Sequence, residues 1–171
     1  SKKIISFIQK KKIETYYALV LSKGAWGLHL LALGKTDFKK LEYTHVRSIR
    51  RILGIKAAYI SRISNEDVLK KAKCKSIYAF LRQKQLALLG HVLRSPEDSP
   101  DWRVCFRQGS FCDPALPPGF KRRRGCPRLR WAETLISDIF DKFPVMTRES
   151  LVNLAKDRNR WRTATWRLSL P

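Results

Sequence analysis

Apolar residues recur every three or four positions along most of this chain, the spacing that gives an α-helix one buried face. The first predicted helix is Ile4–Leu21, and glycines break the pattern after it. The second begins at Asp37, as its N-cap, and ends at Leu53, followed by Gly54. Because strand signals are few, we expect a mainly α fold, a small bundle of about five to six helices.

The middle of the chain contains the most apolar predicted helix. Ser64 is expected to cap a short third helix, with Asp67 three residues later as in a capping box. The fourth helix, Ile77–Leu93, is apolar nearly all round, which predicts that it is the most buried. Its interior charges, Arg82 and Lys84, are expected to reach outward to solvent, as long basic side chains do.

Prolines mark a change of character in the next segment. Six of the eight prolines lie between Ser95 and Pro127, so this segment is predicted to be a long loop. Pro127 suits the first turn of a fifth helix. The apolar side of that helix is predicted to contain Trp131, Leu135, Ile136, Ile139 and Phe143. Thr147 is expected to cap the last helix, and Lys156–Arg167 is expected to be a basic tail.

These elements divide the chain into four predicted segments. Residues 1–34 are an N-terminal helix with a glycine-rich link, and residues 35–95 are a central helical bundle. Residues 96–127 are a basic, proline-rich loop, and residues 128–171 are C-terminal helices with a basic tail. We therefore expect the helical core to lie on both sides of one long basic loop.

The charge balance narrows the class of partner. The 171 residues include 36 lysines and arginines but 14 aspartates and glutamates, a net charge of +22. A compact chain with this charge repels itself, which is typical of proteins that bind a polyanion. Hydrophobic residues make up 44% of the chain, enough for a core, so wholesale disorder is not expected.

Two further features bear on location. The longest apolar stretch, Ala25–Leu33, is interrupted by His29 and is too short to span a bilayer, so no membrane partner is predicted. Four cysteines in a chain of this length do not resemble a disulfide framework. We therefore expect an intracellular, reducing compartment, with the mitochondrion and the nucleus both open.

Basic residues concentrate in three clusters and a lysine-rich N-terminus. Arginine forks match phosphate geometry, and neighbouring aromatic rings can stack on unpaired bases, although Trp131 and Trp161 are expected to pack inside. One such run is also compatible with a solvated surface or a nuclear-import peptide, but three runs favour nucleic-acid binding. The predicted phosphate contacts are Lys121, Arg122, Arg123, Arg124, Arg128 and Arg130; Arg158, Arg160 and Arg162; Arg47, Arg50 and Arg51; and, at the rim, Lys10, Lys11 and Lys12.

No arrangement of residues in the sequence indicates catalysis or a cofactor. The carboxylates include no pair in a strand-turn-strand segment that would hold two magnesium ions. A phosphate-cradling glycine loop and a nucleophile elbow are also missing. Glu97, Asp98 and Asp101 lie on a proline-flanked turn and are interpreted as a solvated loop. We therefore expect a non-enzymatic protein without a cofactor.

Cysteines around the proline-rich segment raise the question of zinc. Cys105, Cys112 and Cys126, with His91 before them, are residue types that hold zinc tetrahedrally. Their spacings of seven and fourteen residues differ from those of a compact knuckle, whose first ligands are about two to four residues apart. Unpaired cysteines, Cys74 among them, are therefore expected instead of a metal site.

Five blocks, in order along the chain, give the sequence a family resemblance. Three are LALLGHVLR at Leu86–Arg94, RRRGCPRLRW at Arg122–Trp131 and LAKDRNRWR at Leu154–Arg162. The other two are Lys39–Ile55 and Arg62–Leu69. They resemble stretches that follow the polymerase core of non-LTR retrotransposon (LINE-type) reverse transcriptases, where the three quoted motifs read RWLGHVLR, RRRGRPRKRW and LAQDRxRWR. With the thumb-like segment described next, the resemblance covers almost the whole chain.

The resemblance implies a role in binding rather than in catalysis. Tyr17–Trp26 is similar to the end of the family's thumb helix, so residues 1–34 are expected to be thumb-like. Thumb and post-thumb helices of such enzymes touch the backbone of template and primer. The family's palm, with its paired aspartates, is absent from these residues. Two positions depart from the motifs, Cys126 in place of arginine and Leu88 in place of tryptophan, and both leave the basic character intact.

Three functions fit these observations. The first is a non-catalytic, retroelement-derived RNA-binding protein that acts as a structural subunit of a large ribonucleoprotein, for example a mitochondrial ribosome, with rRNA and neighbouring proteins as partners. The second is the ordered C-terminal part of an intact non-LTR reverse transcriptase that contacts template and primer. A DNA-binding regulator comes last, because the helices Asp37–Leu53 and Ser64–Lys73 are too far apart for a tight helix-turn-helix.

Overall fold

The computed structural model describes residues 2–110, 112–113 and 130–168, with side chains at 7–110, 112–113 and 130–167. Most of these residues are helical, so the predicted mainly α fold is confirmed. The helices are α1 (Lys2–Thr15), α2 (Lys35–Leu53), α3 (Ala58–Ser61), α4 (Asn65–Ala72), α5 (Ile77–Arg94), α6 (Pro100–Cys105), α7 (Trp131–Lys142), α8 (Arg148–Lys156) and α9 (Arg158–Leu168). A π-helical segment, Tyr16–Leu21, and one further turn, Ser22–Gly24, extend α1.

The described residues contain more helices than the five to six that the sequence predicts. Two of the additional ones replace irregular structure: α6 lies inside the predicted loop, and α9 replaces the predicted basic tail. Pro100 is the first residue of α6, where its missing N–H costs no hydrogen bond. Burial of Trp102 in α6 and of Trp161 in α9 accounts for both helices, because each aromatic ring anchors its helix to the core.

The helices form two compact units, each with its own core. The first comprises Ser1–His29 and Leu33–Leu81, and the second comprises Leu30–Ala32 and Arg82–Pro171. In the first unit, buried residues of α2 and α4 pack together, and a neighbouring cluster joins the π-helical segment to the start of α5. The second unit has the larger core, built from α5, α6, α7, α8 and α9.

Helix ends in the first unit follow local sequence, with one correction. Gly54 ends α2 with a φ of +69° and the Ser64 hydroxyl accepts from the Asp67 N–H at 3.1 Å, as predicted. The N-cap of α2, however, is Gly34 rather than Asp37. Asp37 occupies the third helical position, where its carboxylate accepts from the Gly34 N–H at 3.1 Å. Asp37 does take part in capping α2, but as the partner one turn inside the helix and not as the N-cap itself.

A buried histidine joins three segments of the first unit. His45 Nε2 lies 3.1 Å from the Lys75 carbonyl oxygen and must donate to it. Burial lowers the pKa of His45 and thus favours the neutral ring. In that ring, His45 Nδ1 is the acceptor for the Tyr16 hydroxyl at 3.0 Å.

Stability should therefore depend on the titration of His45. A histidine whose pKa is lowered in the folded state contributes stability that is complete above the unfolded value of 6.5 and is lost as the pH falls through the folded pKa. Burial also raises the pKa of Glu42, and this shift makes stability fall as the pH rises, opposite to the effect of His45. The test therefore compares the pH dependence of the free energy of unfolding between variants and does not rely on the slope of the native chain alone. Urea unfolding between pH 5 and 7.5 should give a flatter profile for His45→Gln than for the native chain. His91→Gln, at an exposed position, should keep the native profile. Identical profiles for all three proteins would contradict this role.

The second unit confirms the predicted burial of α5 but not the exposure of its arginine. Leu86 and Leu89 are essentially inaccessible. Arg82, expected to reach solvent, is 5% exposed. Its guanidinium forms an ion pair with Asp138 of α7 and donates to Gln85 at 3.1 Å. A buried charge with a carboxylate partner is held in place rather than released to water.

The boundaries of α7 and α8 are partly predictable. Leu135, Ile136 and Ile139 are buried on one side of α7 as expected, but Phe143 lies past the helix end and is 40% exposed. Pro127, expected to open this helix, lies outside the described residues, and Arg130 is the N-cap. The predicted Thr147 cap of α8 is confirmed: its hydroxyl accepts from the Ser150 N–H at 3.2 Å. These local signals hold because each cap involves neighbouring residues only.

Candidate nucleic-acid interface

The strongest basic run of the sequence lies mostly outside the described residues. Lys121, Arg122, Arg123, Arg124 and Arg128 belong to the segment 114–129, so their prediction as phosphate contacts is untested. Their neighbour Arg130 is described, half-buried at the start of α7, with its Nε 3.6 Å from Glu133 Oε2. An arginine paired this way is partly committed to its own helix.

Helix α9 contains four arginines and no acidic residue, and a single aspartate sets its start. Asp157 separates α8 from α9, and its carboxylate accepts from the N–H groups of Asn159 at 2.9 Å and Arg160 at 3.1 Å. Those two donors are free at any helix start, so the aspartate begins α9 directly after α8 ends. The turn fixes the direction in which α9 presents its arginines.

One tryptophan anchors α9 to the core. Trp161 is 3% exposed, as predicted, and its Nε1–H donates to the Leu86 carbonyl of α5 at 2.9 Å. The ring lies against Gly90 so closely that no side chain fits there: a Cβ at this position would be 2.0 Å from Trp161 Nε1. The glycine of the LALLGHVLR block therefore serves helix packing, a role that the sequence does not reveal.

The arginines of α9 are exposed on both sides of this anchor. Arg158 lines a cleft that also contains Arg94 and Lys156. Arg160 lies in a different groove with Arg167, beside apolar residues of α8 and the segment before it. Arg162 is exposed as well. The sequence groups Arg158, Arg160 and Arg162 as one cluster, whereas the helix places Arg158 and Arg160 on separate surfaces.

The first unit has further exposed basic residues. Arg47 and Arg51 are exposed, four residues apart on α2, and therefore share one side of that helix. Lys11 and Lys12 of α1 border a shallow groove that ends at Ile52 of α2. Lys10 is exposed, and Lys11 forms an ion pair with Glu14 at 3.0 Å. The first unit thus has exposed basic residues on both α1 and α2.

Arg50 is a correction to the predicted site. It is 7% exposed rather than available to a phosphate. Its Nη1 donates to the Lys56 carbonyl at 3.1 Å and to the Ser61 hydroxyl at 3.3 Å, and its Nη2 donates to the Ile63 carbonyl at 2.6 Å and to Asn65 Oδ1 at 3.1 Å. The guanidinium thus fastens the segment between α2 and α4. The sequence contains a signal for this, because position 50 lies beside Val46, Ile49 and Leu53 on the apolar stripe.

Replacing Arg50 should therefore damage stability and not the salt dependence of binding. Arg50→Gln removes four hydrogen bonds from a buried, charged donor and leaves their acceptors without it, which should cost about 3 kcal/mol in the free energy of unfolding. Arg47→Gln and Arg51→Gln, at exposed positions on the same helix, should each change it by less than about 0.5 kcal/mol. Urea unfolding of the three variants measures the difference. Equal stability of Arg50→Gln and Arg47→Gln would contradict the structural role.

Sequence reasoning also missed basic residues. Lys70, Lys71 and Lys73 are all exposed at the end of α4, and counting lysines in that segment would have found them. Arg94 appears in the sequence only as part of a motif, yet its Nη1 donates to the Ala155 carbonyl at 2.9 Å. That contact joins α5 to α8 and could not be read from local sequence.

Of the described zinc candidates, two line the same cavity and His91 does not. Cys105 and Cys112 line one small cavity, whereas His91 is exposed on α5 and does not line it. Burial raises the pKa of Cys105, and it raises the pKa of Cys112 to about 11, the opposite of a prepared thiolate ligand. Within the described residues, which exclude Cys126, no group of three potential metal ligands occurs.

The clustered carboxylates are used to fasten a loop. Glu97 accepts from the Gly109 N–H at 2.7 Å, Asp98 accepts from Gln108 at 3.1 Å, and Asp101 accepts from the Ser95 hydroxyl at 2.7 Å. These bonds connect the two ends of the segment around α6. Glu97 and Asp98 are exposed, in agreement with the predicted solvated loop, and the hydrogen bonds in addition order the chain around the carboxylates.

Comparisons with known proteins add no relative to this description. Neither protein-family models, nor curated protein sequences, nor solved structures give a match to this chain. Among the described residues, no helix has both the length and the apolar character that crossing a bilayer requires.

Proposed function

We propose that this chain is a non-catalytic RNA-binding protein that acts as a structural subunit of a large ribonucleoprotein. Its exposed arginines and lysines would contact the phosphate backbone without reading sequence. Under this proposal rRNA is the RNA, a ribosome, including a mitochondrial one, is the assembly, and neighbouring ribosomal proteins are further partners. A retroelement origin is part of the proposal, and its support is the sequence resemblance to non-LTR reverse transcriptases.

The observation that carries the proposal is the construction of α9. Arg158, Arg160, Arg162 and Arg167 are exposed, while Trp161 fixes the helix to the core. Of these four arginines, Arg160 lies near a carboxylate at the start of its own helix, Asp157, with 3.3 Å between the two side chains. A rigid helix that presents several cations on two sides suits a branched or folded polyanion, because phosphates can approach both sides at once.

The resemblance also leaves an enzymatic setting open as a second proposal. If these residues belong to an intact non-LTR reverse transcriptase, the same basic surfaces would hold template and primer. Both settings require RNA binding, so they differ in the particle that contains the chain rather than in the interface.

Sedimentation of the native protein from nuclear and mitochondrial extracts, with and without RNase, tests the proposal. Migration with a ribosome-sized particle that is lost after RNase treatment would support the structural subunit. Migration as a much longer polypeptide outside the ribosomal peak would support the reverse transcriptase instead. Migration that RNase leaves unchanged in every fraction would contradict RNA binding in the cell.

A further inference from the structure

A positively charged cleft of about 670 Å³ lies in the second unit, at the end of α5 and the corner between α8 and α9. Among the described residues, the ionic side chains that line it are three cations, Arg94, Lys156 and Arg158, and one carboxylate, Glu97. Glu97 Oε2 already accepts from the Gly109 N–H at 2.7 Å. The cleft therefore has a positive excess that its own carboxylate does not balance.

Two polar nitrogens of cleft-lining residues are buried and have no partner among the described residues. Trp102 is 4% exposed, and its Nε1–H has no acceptor within that part of the chain. Arg94 Nη1 donates to the Ala155 carbonyl at 2.9 Å, but its Nε–H, also shielded from solvent, has no acceptor there either. A buried donor without an acceptor is costly, and native proteins leave few of them. Both donors belong to residues that line this one cleft.

Arg94 and Arg158 also lie close enough to repel each other. The pKa of Arg94 is lowered, first by burial and then by the positive charge of Arg158. Lys156 Nζ donates to Asn153 Oδ1 at 3.3 Å, which holds its charge at the edge of the cleft. An anion between two guanidinium groups would relieve their repulsion.

We propose that this cleft binds a phosphate group of RNA, with Arg94 and Arg158 as the principal donors and Lys156 at the rim. Guanidinium groups bind phosphate through paired hydrogen bonds, and two of them can hold one phosphate from two sides. The claim that RNA supplies the phosphate rests on the proposed function. The claim that the cleft binds a phosphate rests on the side chains that line it.

The indole Nε1–H of Trp102 offers a local signal for binding. In a ¹⁵N-labelled full-length chain, this signal is identified by its loss in Trp102→Phe, and it is followed during titration with a short single-stranded RNA or with pyrophosphate. RNA should shift the Trp102 signal and leave the Trp161 signal in place, because Trp161 Nε1 is occupied by Leu86. Arg158→Gln should remove the shift and weaken RNA binding about fivefold. Arg103→Gln removes the same charge from an exposed residue beside Trp102 that does not line the cleft, and it should preserve both.

Each other outcome overturns a different part of the account. If RNA binds but leaves the Trp102 signal unmoved, and Arg158→Gln behaves like Arg103→Gln, the cleft proposal fails and the proposed function stands. If RNA does not bind at all, the proposed function fails. If RNA does not bind but pyrophosphate shifts the Trp102 signal, the cleft is a site for a small phosphate compound, and RNA is rejected as its ligand.

Discussion

Gly90→Ala is expected to destabilise the protein strongly, although alanine is the better helix former. The added Cβ would lie 2.0 Å from Nε1 and 2.5 Å from Cδ1 of Trp161, so the indole would have to leave its position. Its displacement would break the hydrogen bond to the Leu86 carbonyl and disturb the core around α9. Helix propensity favours alanine by about 1 kcal/mol. Overpacking and the partial loss of a buried tryptophan outweigh it, and we expect a net loss of about 3 kcal/mol.

Gly24→Ala is the matched control, because a Cβ at Gly24 meets no atom of the described residues within 4 Å. Its backbone does not have a positive φ, so the substitution should be neutral or stabilising by up to about 1 kcal/mol. Chemical denaturation followed by tryptophan fluorescence compares both variants with the native chain. A Gly90→Ala protein as stable as Gly24→Ala would mean that Trp161 does not anchor α9 in this way.

Neutralising α9 is expected to have the largest effect on RNA binding. The triple variant Arg158→Gln, Arg160→Gln, Arg162→Gln removes three exposed charges and keeps both Trp161 and the Asp157 cap. Each lost contact with a single-stranded phosphate lowers the slope of log K against log salt by about 0.7. We therefore expect the slope to fall by about 2 and the affinity at moderate salt to fall at least about tenfold.

The control for this variant must remove the same charge elsewhere. Lys23→Gln, Lys35→Gln and Lys39→Gln together replace three exposed lysines that are not among the predicted contacts. If net charge alone governs binding, the two triple variants will lose affinity equally, and the account of α9 as an interface will be wrong. Fluorescence anisotropy with a labelled RNA at several salt concentrations measures both variants.

Features decided by neighbouring residues are predictable from the sequence. The Ser64 and Thr147 caps and the left-handed end of α2 at Gly54 depend on residues within one turn. The burial of α5 is also predictable, because its own sequence has apolar residues on nearly every side.

Features decided by distant partners are not predictable in the same way. Arg50 and Arg82 have the composition of surface residues, yet carbonyls beyond α2 hold the first and Asp138 holds the second. The role of Gly90 depends on Trp161, far away along the chain. A sequence pattern reports the faces of a helix, but it does not report which partner covers them.

The candidate site also has one part that the sequence predicts and one part that it does not. The exposure of Arg158, Arg160 and Arg162 agrees with the prediction, because a basic helix with one buried tryptophan has few other ways to pack. The cleft that joins Arg94, Trp102 and Arg158 brings together residues from α5, α6 and α9 and has no local signal. These three side chains come together only through tertiary packing, so counting charges along the sequence does not predict the cleft.

The most direct test of the central claim is the salt dependence of RNA binding by the native chain. Two single-stranded RNAs of equal length and unrelated sequence would be titrated at several salt concentrations, with a single-stranded DNA of matched sequence alongside. The account predicts a steep linear fall of log K with log salt and similar slopes for the two RNAs. Undetectable binding at low salt, or affinity that salt does not change, would contradict it, and a clear preference for the DNA would reject RNA as the partner.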